Sequence, residues 1–167
     1  MKTPFCENCL ETGVFCPSCS EKLNKEELTE TDLGISRLLH KYKRRFYLDD
    51  VVFLKSLDLG KFVLIFTATD ASFLIGRGGK IVNELKKDLG GRKVKIIQRT
   101  ADVTKMAEEI LAPVRPMSIN TVFKPDGRKA FKVRIMKKDA PLLQMEPSEL
   151  RQAFSYLLGA EAFIIFD

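Results

Sequence analysis

All four cysteines of this 167-residue chain fall within its first 19 positions. The segments Phe5-Cys6-Glu7-Asn8-Cys9 and Phe15-Cys16-Pro17-Ser18-Cys19 repeat one Phe-Cys-x-x-Cys pattern, and Gly13 lies in the short loop between them. A C-x-x-C turn lets two thiolates converge on one cation at about 2.3 Å each, and two such turns complete the tetrahedron that zinc accepts. The alternatives are disulfides and a thioredoxin-like redox pair. A reducing compartment disfavours the first, and no βαβ pattern surrounds the motif to support the second. The reading is one structural zinc ion per chain, held by Cys6, Cys9, Cys16 and Cys19. Four thiolates close the site, which argues against a catalytic metal. Residues 1–20 bury too little surface to fold alone, so the metal is expected to supply the folding free energy of this knuckle. Residues 21–31, alternating in charge around few apolar side chains, read as a linker or a helix start.

Beyond the cysteines, 45% hydrophobic residues suffice for one ordinary core or two small ones. No apolar run approaches the roughly 20 residues needed to cross a bilayer, and the charged N-terminus lacks the apolar stretch of a secretory signal. A cytoplasmic protein without membrane contact is expected. The formal charge of +6 and a pI near 9.2 favour a polyanionic partner but do not choose among RNA, DNA and anionic lipid.

From Asp32 the residues Ile35, Leu38, Leu39, Tyr42 and Phe46 recur at helical spacing, which predicts a helix to about Arg45. Two extended runs follow, Val51 to Leu54 and Phe62 to Phe66, joined by a turn at Asp58-Leu59-Gly60-Lys61. Asp70 to Ile75 reads as a short helical turn that stops at glycine. Ile75-Gly76-Arg77-Gly78-Gly79-Lys80-Ile81 then places a glycine turn between two helices, and Lys93 to Ile97 closes the unit as a strand. Glycines let the backbone turn tightly and let a sugar-phosphate chain approach without Cβ collisions. Amide groups at the start of the next helix are expected to face a phosphate in the field of the helix dipole, with Arg77 and Lys80 adding charge.

This order of α, β, β, α, glycine turn, α, β resembles a type II KH domain, a family that clamps single-stranded nucleic acid with a G-x-x-G loop. The resemblance implies a clamp formed by Gly76, Arg77, Gly78 and Gly79, with Lys80 beside it. A bare G-x-x-G is also a common helix cap, so the weight rests on its setting between the flanking elements. Neither a Walker A loop nor a dinucleotide fingerprint fits: the first needs a Lys-Ser/Thr ending, the second a strand directly before its glycines.

The remaining chain repeats the layout. Ala101 to Leu111 reads as a helix ended by Pro113 and Pro116, Met117 to Phe123 and Ala130 to Met136 as strands around Pro125-Asp126-Gly127, Ser148 to Leu158 as a helix and Ala162 to Phe166 as a last strand. No glycine turn lies between Asp139 and Pro147, so a second phosphate grip is not expected. Lys132 and Arg134 should project from one face of their strand, opposite Phe131, Val133 and Ile135, and are candidate contacts to an RNA backbone.

The expected fold class is α+β: two tandem type II KH-like units, 32–99 with the glycine loop and 100–167 without it, preceded by the zinc knuckle. Tandem units of this kind resemble the KH portion of the NusA transcription factors, in particular the short archaeal NusA-like proteins. That resemblance implies single-stranded RNA, either a nascent transcript or ribosomal RNA, as partner and a role in transcription elongation or termination. The competing expectation is an adaptor docking on RNA polymerase, a nuclease or the ribosome. No carboxylate pair, nucleophile motif or open metal site emerges, and the lone His40 sits among Arg and Lys in a helix, so a non-enzyme is expected.

Overall fold

Thr29 begins the organising helix of the N-terminal half. Its hydroxyl accepts the N–H of Asp32 while the Asp32 carboxylate accepts the N–H of Thr29, a reciprocal cap that satisfies two donors of the first turn. In the computed structural model, which describes all 167 residues, the chain divides into two compact units, Met1–Arg99 and Thr100–Asp167.

In the first unit α1 (Glu7–Thr12) and α2 (Pro17–Asn24) precede α3 (Glu30–Tyr42), and β1 (Phe53–Asp58) and β2 (Phe62–Thr67) follow. Then come α4 (Ser72–Ile75), a 3-10 turn (Arg77–Gly79), α5 (Lys80–Asp88) and β3 (Lys93–Gln98). The sheet order is β1-β2-β3, antiparallel between the first pair and parallel between the second. A parallel neighbour cannot be reached by a hairpin, and the α4–turn–α5 crossover supplies the return path. β2, five apolar residues and a threonine, is buried along its whole length, as a central strand must be.

Helix α3 is buried on two sides. Ile35, Leu39 and Tyr42 join Val63 and Ile65 of the sheet and Leu74, Ile81 and Leu85 of the crossover in one core. Leu33 turns the other way, into a cluster with Phe5, Cys9, Cys19 and Leu28. The cysteine segment is therefore packed on α3, and the Lys2 N–H and carbonyl bond Val51 and Phe53 at 2.9 Å to tie it to the start of β1. The stretch that reads from sequence as a linker is largely structured: α2 runs to Asn24, and Leu28 is buried. Charge alternation marks its exposed face and conceals the few apolar residues that dock it.

The second unit runs α6 (Val103–Leu111), β4 (Ser118–Phe123), β5 (Lys129–Ile135), α7 (Pro147–Leu158) and β6 (Glu161–Phe166). Its sheet order is β4-β5-β6, again antiparallel then parallel. The hairpin turns at Pro125-Asp126-Gly127, where Gly127 has φ +83° and Asp126 accepts the N–H of Arg128. Between β5 and α7, where the first unit has its glycine turn, the chain makes a 3-10 helix over Lys137–Leu142. The α+β class, the two three-stranded sheets and the leading four-cysteine cluster are those expected from the sequence. No helix is long and apolar enough to cross a membrane.

Candidate metal centre and nucleic-acid interface

Each cysteine pair spans the N-cap and third residue of a helix: Cys6 and Cys9 in α1, Cys16 and Cys19 in α2. That spacing turns both sulfurs of a pair to the same side of the helix start. The two pairs interlock reciprocally, since the Cys6 N–H donates to Cys19 Sγ at 3.5 Å and the Cys16 N–H to Cys9 Sγ at 3.1 Å. The Phe-Cys-x-x-Cys repeat legible in the sequence thus becomes a local twofold arrangement, with Phe5 and Phe15 in tilted contact at 6.2 Å.

The four Sγ atoms lie within 4.8 Å of one another, with Cys6 at 3.1, 3.8 and 4.0 Å from Cys9, Cys19 and Cys16. Sulfurs tetrahedrally disposed about 2.3 Å from a zinc ion would be about 3.8 Å apart, so the spacing suits a metal. It does not suit disulfides, whose sulfurs are about 2.05 Å apart, and all four thiols are free. Cys9 and Cys19 are buried beneath the site, whereas Cys6 is exposed and Cys16 half-buried, which would leave the metal reached from the side of Cys6 and Cys16. Electrostatics already separates the thiols. Cys16 is drawn down to about 7, chiefly because the Cys19 N–H points at its sulfur. Cys9 is pushed up to about 12: the Cys16 N–H lowers it, but the Cys6 thiol and burial outweigh that.

The glycine turn lies on the surface between α4 and α5. Gly76, Gly78 and Gly79 all have positive φ, at +77°, +64° and +76°. Their reasons differ. A Cβ on Gly76 would lie 2.8 Å from Ile81 Cγ1 and 3.1 Å from the Ile81 amide nitrogen, whereas a Cβ on Gly78 would meet nothing within 4 Å. Gly76 is thus required by packing, and Gly78 opens the crown of the turn. Arg77 and Lys80 are exposed and have no carboxylate partner, leaving two free cations beside that crown. One expectation needs correction. The N–H groups of Gly79 and Lys80 bond the carbonyls of Gly76 and Arg77, because the 3-10 turn consumes them. An anion would therefore meet the crown at Arg77 and Gly78 instead of those two amides. Phe73 and Ile75 of α4 are also exposed, at 45% and 37%, and place apolar surface against the turn. The sequence gives no sign of Phe73's exposure, because a four-residue helix is too short to reveal which face is outward.

In the second unit Lys132 and Arg134 share one face of β5, as their alternation with buried Val133 and Ile135 requires. Lys132 lies across from Asn120 and Phe163 and is exposed. Arg134 is tied to Asp167, Nε to Oδ2 at 2.9 Å. Lys124 pairs with Glu161 and Arg128 with Asp126, so much of the hairpin's positive charge is neutralised locally. The free charge that composition suggests here is smaller than the count of lysines and arginines implies.

No family model matches the chain, and no curated protein does. A solved structure, "Crystal structure of APE1850", is similar at a TM-score of 0.56 and 17% identity, covering 72% of this chain and 91% of that one. At that identity the likeness speaks to architecture: the α+β arrangement described above is one that solved proteins adopt.

Proposed function

We propose that this protein binds single-stranded RNA through a KH-type clamp at Gly76, Arg77, Gly78 and Gly79, and that its four cysteines hold one structural zinc ion. The observation that carries the reading is the exposed glycine turn between two helices, with two unpaired cations at its crown and apolar α4 surface beside it. A sugar-phosphate backbone needs that combination: close approach at Gly78, positive charge from Arg77 and Lys80, and apolar ground for bases. Zinc, when bound, would fix the relative positions of α1 and α2 on α3 and would carry no chemistry. The protein is read as a cytoplasmic non-enzyme, and the role that fits its tandem layout is that of a NusA-like elongation or termination factor acting on nascent transcripts, or a factor bound to ribosomal RNA.

Crosslinking RNA to the protein in cells tests this directly. Sequencing the RNA and mapping the modified peptide should place the crosslinks on nascent or ribosomal RNA and within the segment from Phe73 to Asn83. Crosslinks confined to other segments would remove the clamp. A second reading, an adaptor docking on RNA polymerase, a nuclease or the ribosome, is favoured by the second unit, where the glycine turn is missing and Met117, Phe123 and Leu142 are more than half exposed. Under that reading a protein partner survives substitution of Arg77 and Gly78.

A further inference from the structure

Tyr47 is 98% exposed, the most exposed of the large hydrophobic side chains, and it sits in the segment Arg44-Arg45-Phe46-Tyr47 between α3 and β1. The backbone here is held. The N–H groups of Arg45 and Phe46 both bond the Tyr42 carbonyl, at 2.9 and 2.8 Å. Phe46 packs edge-on against buried Tyr42 at 5.9 Å. Phe46 therefore fastens the loop to the core, and its neighbour Tyr47 is turned outward.

The loop also lies beside the helix that leaves the glycine turn. Arg45 reaches Glu84 of α5 at 3.3 Å, and its guanidinium stacks over Phe46 at 5.1 Å. Glu84 is one turn along α5 from Lys80, about 6 Å at the helical rise. Arg45 thus lies beside α5, the helix that Lys80 begins, and Arg44 and Lys41 are exposed near it in the chain; the carboxylates of this region are Glu84, Asp88, which accepts from the Tyr42 hydroxyl, and, past Tyr47, Asp49 and Asp50. Exposed aromatic rings flanked by arginines are platforms on which single-stranded bases stack, because every base has a π-face and the backbone beside it is anionic.

We propose that the loop from Arg44 to Tyr47 is a second contact for the same RNA strand, Tyr47 stacking on a base and Arg44 and Arg45 meeting phosphates beyond the clamp. This rests on the clamp reading and extends its footprint past the roughly four nucleotides such a loop grips.

The chain has no tryptophan, so Tyr47→Trp introduces a single fluorescent reporter at an exposed position that the fold does not depend on. Dye-labelled single-stranded RNAs of mixed sequence, about four and about twelve nucleotides long, serve as probes. The expected result is that both bind by anisotropy and only the longer quenches the tryptophan emission of the Tyr47→Trp variant. Tyr47→Ala should weaken the longer RNA about tenfold and leave the shorter unchanged. If the longer RNA binds and is lost on Arg77→Asp, yet leaves the reporter's emission unchanged and tolerates Tyr47→Ala, the stacking platform is overturned while the clamp stands. If neither RNA binds the parent protein, the clamp itself fails and this inference falls with it.

Discussion

The fully buried carboxylate of Asp32 holds Ser56: one oxygen accepts both the backbone N–H and the hydroxyl of Ser56, at 2.6 Å each. Its other oxygen accepts the Thr29 N–H at 2.9 Å and the Lys55 ammonium at 3.1 Å. One side chain thus caps α3 and fastens it to β1. Replacing Asp32 by Ala leaves the two Ser56 donors without their acceptor and Lys55 with only the Glu27 carbonyl, and should cost on the order of 3 kcal/mol. Urea unfolding of the two proteins measures the difference, and a loss below about 1 kcal/mol would contradict this role.

The cysteine cluster packs on α3 through Leu33 and on Leu28 just before that helix. Metal removal should therefore do more than unravel the first 20 residues. Metal analysis should return one zinc per chain, and chelation should lower helical circular dichroism and the melting temperature of the first unit. Substituting all four cysteines by serine should do the same. A chelated protein with an unchanged melt and spectrum would show that the site is not a structural metal centre.

Gly76 and Gly78 are predicted to separate folding from binding. Gly76→Ala drives a Cβ into Ile81, part of the core, in addition to the strain of its positive φ, so its melting temperature should fall clearly. Gly78→Ala meets no neighbour and carries only the backbone strain, about 1 to 2 kcal/mol. Thermal melts decide, and equal losses at the two positions would mean that the turn is not positioned as described.

Asp58 should confer a pH-dependent stability. Burial raises its carboxyl, but the Arg92 guanidinium at 2.7 Å, the Gly60 N–H and the Thr31 hydroxyl outweigh it and hold it below the usual aspartate range. A folded-state value below the unfolded one stabilises the protein above the ordinary aspartate pKa, and the benefit is lost as pH falls through the folded value. The pair is partly exposed, so Asp58→Asn should cost about 1 kcal/mol or less at neutral pH and progressively less below about pH 4. Urea titrations of both proteins across that range test the sign; a gap that widens in acid would refute it.

Much of this fold is legible because each cue comes from a short, self-sufficient pattern. The Phe-Cys-x-x-Cys repeat marks the cluster, Pro125-Asp126-Gly127 the second hairpin, and the glycines at 76, 78 and 79 the turn between helices. What is not legible depends on distant partners. The helical starts at Cys6 and Cys16 are stabilised across the cluster by sulfur acceptors from the other pair, which spacing alone does not reveal. Helix α3 ends at Tyr42, short of the expected Arg45, as Phe46 folds back on Tyr42. The pairing of Arg134 with Asp167 requires knowing that β6 runs parallel beside β5. Nothing in the sequence singles out Tyr47, because full exposure is a property of the folded loop.

The central claim is tested most directly by the affinity of single-stranded RNA for the Arg77→Asp, Gly78→Asp double variant against the parent, at one fixed salt concentration. Arg77 is exposed, and Gly78 has open space around it and a left-handed conformation that Asp tolerates better than most residues, so the fold should persist. The account predicts a folded variant whose melting temperature falls no further than that of Gly78→Ala, and RNA binding weakened by about a hundredfold, one charge-assisted phosphate contact having been reversed in sign and a second negative charge added at the crown. A folded double variant that binds RNA as tightly as the parent contradicts it.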